Sequence, residues 1–73
     1  MMTPERQKEA YEFMATLDGK ERAQAHEIQA LFSFHNEQFP DCKEFGTYCD
    51  SCVSRVYARM KDWRNAYKIG YDL

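Results

Sequence analysis

The chain is expected to fold as an all-α single domain, residues 1–73, of three helices with a long ordered connection between the second and third. Three observations predict this. The stretch from Cys49 to Tyr67 places Cys49, Cys52, Val53, Val56, Met60, Trp63 and Tyr67 on one side of a helix that turns by about 100° per residue, with Arg and Lys on its flanks. Two earlier stretches repeat that spacing, with Ala10, Phe13, Met14 and Leu17 in one and Ile28, Leu31, Phe32 and His35 in the other. Finally, 73 residues and 8.7 kDa leave room for one small core and no separate substrate domain.

Helix one is expected over residues 4–17. Thr3 can cap it, Pro4 suits the first helical position because its missing N–H has no partner there, and Glu5 meets the positive end of the dipole. Asp18-Gly19 should end it, since glycine takes a left-handed conformation without a Cβ clash. Helix two is expected over residues 21–35. Phe34 leaves its main apolar face, beside Ala23 and Ala30, so it packs under the following loop or meets a partner.

Residues 36–48 read as the connection: Pro40 disfavours helix at Phe39 and Gly46 marks a turn. A structureless link of this length is unusual in a small domain, so Phe39, Phe45 and Tyr48 pin it to the core, or it holds a short helical turn, or it is functional. Helix three is expected over 50–68, capped by Asp50 or Ser51 and stopped near Gly70, with 69–73 as a tail. The expected core is Phe13, Met14, Leu17, Ile28, Leu31, Phe32, Val56, Met60 and Trp63.

Composition narrows the function classes. No run of about 18 apolar residues exists and the N-terminus lacks the basic and apolar regions of a signal peptide, so no membrane association and a cytoplasmic setting are expected. The net charge of −2 divides into −5 over residues 1–50 and +3 over 51–73, which makes the last helix the cationic element. With Trp63, five Tyr and five Phe, the chain carries more large apolar surface than such a core easily hides, and the surplus points to a protein partner or self-association.

Two constellations could carry chemistry. Cys49-x-x-Cys52 can direct two sulfurs to one point, and Cys42 and His35 could complete a four-ligand structural zinc site. The same pair at a helix N-terminus permits redox chemistry, or the cysteines simply extend the buried stripe. His26 and His35 also read as polar edge residues. The second constellation is Arg55, Arg59, Lys61, Arg64 and Lys68. These residues suit nucleic-acid binding, or a solvated face complementing the helix dipole and acidic helix one. A helix-turn-helix would need a much shorter link than the 13 residues between the second and third helices. No Ser–His–Asp pattern, phosphate loop or HExxH motif is present, so a non-enzymatic role is expected and no cofactor beyond zinc is implied.

From Leu31 to Trp63, the pattern Leu-Phe-x-Phe-His-Asn-x-x-Phe-Pro, then Lys43-Glu44-Phe45-Gly46, then Cys49-x-x-Cys52-x-x-Arg55-Val56-Tyr57-x-Arg59-Met60-Lys61-x-Trp63 resembles small helical CxxC-containing proteins of tailed bacteriophages of Bacteroidetes. The resemblance covers a little under half the chain. It implies a viral protein in the host cytoplasm or the virion, where small proteins mostly bind: a particle component, an assembly accessory, a nucleic-acid-binding regulator or an inhibitor of a host factor. It assigns no role to a single residue.

Overall fold

In the computed structural model, which describes residues 2–20 and 22–71, with the backbone alone for 68–71, three helices follow in order. Helix α1 spans Pro4–Leu17, α2 Ala25–Gln38 and α3 Asp50–Tyr71, and a 3₁₀ turn over Pro40–Cys42 follows α2. No strand occurs among the described residues, so the all-α expectation holds. No helix among them is long and apolar enough to cross a membrane.

Local chemistry explains the helix ends. The Thr3 hydroxyl accepts from the Arg6 N–H at 3.2 Å, and Gly19 turns the chain with φ +84°. Helix α2 starts four residues later than the expected 21, because Glu27 reaches back to accept from the Gln24 N–H at 2.9 Å and so fixes the first turn. It also runs three residues past 35, since Pro40 constrains only Phe39 and leaves Asn36 to Gln38 helical. The turn before α3 places Cys49 in the capping position, its carbonyl accepting from the Val53 N–H at 2.9 Å, so Asp50 and Ser51 already lie inside the helix. Gly70 does not stop α3, and the expected tail is helical through Tyr71; residues 72 and 73 lie outside the described ones.

Helix α3 packs against both α1 and α2. Their shared core holds Ala10, Met14, Leu17, Leu31, Phe32, Phe34, Val56 and Met60, together with Met2. Phe13, Ile28 and Trp63, expected inside, are only partly buried at its margin. Phe34 is inside: its ring lies 5.3 Å from that of Phe13, and the Arg6 guanidinium covers it at 4.1 Å. It is therefore neither a partner residue nor packed under the following loop, because the face of α2 that carries it is occupied by α1. Trp63, Tyr67 and Tyr11 form an aromatic run between α3 and α1, with centroids 5.3 and 5.4 Å apart.

Carboxylate bridges tie these elements together. Arg6 of α1 donates to Glu37 of α2 at 2.8 Å, Lys20 donates to the buried Glu27, and Arg55 of α3 donates to Glu44. Hydrogen bonds from Lys20, Arg6 and Arg55 hold Glu27, Glu37 and Glu44, respectively, below the ordinary glutamate value of 4.5. In each case the unfolded state binds the proton more readily, so these groups add stability above about pH 4.5 and lose it as pH falls through their lower folded values. As these three carboxylates protonate, the unfolding midpoint is expected to fall below about pH 4.5, a course that thermal melts across acid pH will follow.

Candidate functional site

The connection between α2 and α3 is braced by a closed set of polar contacts. The Asn36 side chain holds the backbone of Glu44 at two points: its amide donates to the Glu44 carbonyl at 2.9 Å, and its Oδ1 accepts from the Glu44 N–H at 2.9 Å. His35, at 0% exposure, lies 2.8 Å from Asn36 Oδ1 through Nδ1 and 2.9 Å from Arg59 Nη1 through Nε2. A guanidinium only donates, so Nε2 is the acceptor and Nδ1 carries the proton that reaches Asn36; these partners assign the tautomer. Arg55 then grips the Glu44 carboxylate with two donors, at 2.6 and 2.8 Å. Glu44 is thus held by its backbone from α2 and by its carboxylate from α3.

On that brace sit the two most exposed large apolar side chains of the described protein. Phe45 is 79% exposed and Tyr48 93% exposed, whereas Phe39 lies partly buried against His35, with ring centroids 5.4 Å apart. Only Phe39 pins the loop. The rest of the work falls to Asn36, Glu44 and the 3₁₀ turn, in place of insertion of Phe45 and Tyr48. Below Tyr48, Ala25, Ile28, Gln29 and Thr47 line an open groove of about 160 Å³, which extends this apolar surface onto α2.

Gly46 brings the loop backbone against the cysteine pair. A Cβ there would sit 2.8 Å from Cys52 Sγ and 3.0 Å from Cys52 Cβ, and the second atom cannot swing away. Gly46→Ala is therefore expected to destabilise the domain by about 1–3 kcal/mol through overpacking, with thermal melts as the check. Cys49 and Cys52 are half-buried free thiols, and Cys49 Sγ lies 3.2 Å from Ser51 Oγ. The neighbouring Cys52 thiol, then the Ser51 hydroxyl, lowers the Cys49 thiol to about 7, while the neighbouring Cys49 and desolvation raise Cys52.

The four-residue zinc set is not assembled. Both His35 ring nitrogens are engaged, Cys42 is exposed on the 3₁₀ turn, and among the described residues no three His, Cys, Asp or Glu side chains come together to hold a metal ion. His26 is exposed on α2.

The basic residues of α3 are also dispersed by their partners. Arg55 is committed to Glu44 and Arg59 to His35, while Arg64 donates to Asp18 and lies 5.2 Å above the Tyr11 ring. Lys61 is exposed, and the Lys68 side chain lies outside the described residues. A recognition helix needs its cations directed outward to phosphates and base edges, whereas these three arginines neutralise carboxylates or support a buried histidine. Spacing alone does not mark Phe45, Tyr48, Asn36 or Glu44 as site residues; the surplus of aromatics and the unusual length of the connection are the signals that point toward the first two. Comparison with protein families, curated proteins and solved structures finds no match for this chain.

Proposed function

We propose that this chain is a non-enzymatic protein-binding module whose contact surface is the braced loop over residues 43–49. The observation that carries it is the exposure of Phe45 and Tyr48 on a segment fixed by Asn36, Arg55 and the His35–Arg59 pair. Exposed aromatics on a rigid support are efficient anchors, because they bury large apolar area while little conformational freedom remains to be lost on binding. The occupant is another protein or a second copy of the chain, and the setting is a phage particle or its assembly, a context that rests on the resemblance carried by residues 31–63. Nucleic-acid binding by α3 is the weaker reading, since Arg55, Arg59 and Arg64 serve contacts within the fold.

Copy number by native mass spectrometry, together with proteomics of purified phage particles, tests the setting. Self-association or a fixed copy number in particles supports it. A monodisperse monomer that is missing from particles contradicts the particle role.

A further inference from the structure

The proposed docking role rests on Phe45 and Tyr48 and assigns no chemistry to Cys49, at the end of the loop, or to Cys52. Cys49 precedes the first turn of α3 and Cys52 lies within that turn, both as half-buried free thiols, with Cys49 Sγ 3.2 Å from Ser51 Oγ. Gly46 lets the loop backbone pass close to both: the point where a Cβ would stand is 2.8 Å from Cys52 Sγ and 3.4 Å from Cys49 Cβ, so both residues front the same stretch of loop. On the other side stand two opposed charges: the Arg55 guanidinium lowers the Cys52 thiol, and the Glu44 carboxylate that it holds raises it.

We propose that Cys49 and Cys52 form a thiol–disulfide exchange site, with Cys49 as the attacking sulfur, Cys52 as the resolving sulfur and a low-molecular-weight disulfide as the oxidant. In the first step the Cys49 thiolate attacks one sulfur of R–S–S–R. A mixed disulfide forms on Cys49 and RS⁻ leaves. Cys52 then gives its proton to solvent and attacks the Cys49 sulfur, forming the Cys49–Cys52 bond and releasing the second RS⁻. The two protein thiols lose two electrons and the small disulfide gains them. The order follows from the surroundings: the Ser51 hydroxyl, 3.2 Å from Cys49 Sγ, favours charge on Cys49, while at Cys52 the neighbouring Cys49 and desolvation favour the neutral thiol and the Arg55 guanidinium is opposed by the Glu44 carboxylate it holds, so Cys52 reacts second.

The test uses the full chain carrying Cys42→Ser, which removes the exposed third thiol, incubated with oxidised glutathione and followed by mass spectrometry. The expected product is two hydrogens lighter than the reduced chain, with no lasting adduct. Adding Cys52→Ser is expected to stop the reaction at a persistent mixed disulfide on residue 49, and adding Cys49→Ser to slow adduct formation by about tenfold or more. With the Cys49 thiol near 7, its greater thiolate fraction outweighs its weaker nucleophilicity. Its rate should exceed that of an ordinary peptide thiol by about threefold at pH 7 and about sixfold at pH 6. A first adduct on Cys52, a lasting adduct in the chain that keeps both cysteines, or a Cys49 rate following an ordinary thiol across pH would overturn the proposal.

Discussion

Met60→Ala is expected to lower the midpoint of thermal unfolding by about 10–30 °C and to leave much of the protein unfolded at 37 °C. Met60 has no exposed surface and lies with Met14, Leu31 and Val56 at the centre of the core that α3 shares with α1 and α2. Truncating a buried side chain of this size to alanine costs about 2–5 kcal/mol, through lost transfer energy and the cavity left behind. A core in a chain this short supplies only about 3–5 kcal/mol in total, so the loss is comparable with the whole stability. Tyr48→Ala is the natural comparison. At 93% exposure its truncation should stay within about 0.5 kcal/mol of the parent. Thermal melts monitored by circular dichroism distinguish these outcomes, and equal losses at the two positions would contradict the core described above.

The second large effect is expected at Arg59. Its Nη1 supplies the donor for Nε2 of the fully buried His35, and its removal leaves that acceptor without a partner, at a cost of about 1–3 kcal/mol. The consequence travels along the brace, because His35 also holds Asn36, and Asn36 holds both backbone groups of Glu44. Arg59→Ala should therefore speed hydrogen exchange at the Glu44 amide as well as lower stability. Arg55 carries the same charge four residues earlier, but its side chain is about half exposed and its bridge to Glu44 meets water, so Arg55→Ala should cost less than about 1 kcal/mol. A recognition helix would give the two substitutions similar effects on binding and little effect on folding. The asymmetry between them distinguishes a structural arginine from a phosphate-reading one.

How far these features were legible in the sequence depends on the range of the interaction that produces them. The three helices, the Thr3 cap and the Gly19 turn follow from neighbours in the chain and emerged from spacing and turn chemistry. The start of α2 did not, because Gln24 is an uncommon capping residue and its partner Glu27 is in turn held by Lys20 from the preceding turn. Phe34 illustrates a different limit: periodicity says which face of a helix a side chain occupies, but not that Phe13 and Arg6 will cover it. The brace was illegible for the same reason. Any asparagine can hold a backbone amide, and nothing in the spacing of Asn36 and Glu44 marks them as a pair. The cysteine pair was legible as a pair, since its spacing is local, whereas adding His35 and Cys42 to it required tertiary distances that the sequence does not contain.

The central claim, that Phe45 and Tyr48 on their braced loop form the contact surface, is tested most directly by Phe45→Ala/Tyr48→Ala. The measurement is association, by sedimentation of the purified chain and by affinity capture of its particle or host partner, alongside a thermal melt. The expected result is binding weakened by about a hundredfold or more with the melting midpoint nearly unchanged, because both rings are exposed in the free protein and would be buried only on association. Association of undiminished strength in the double variant, with the fold intact, would contradict the account.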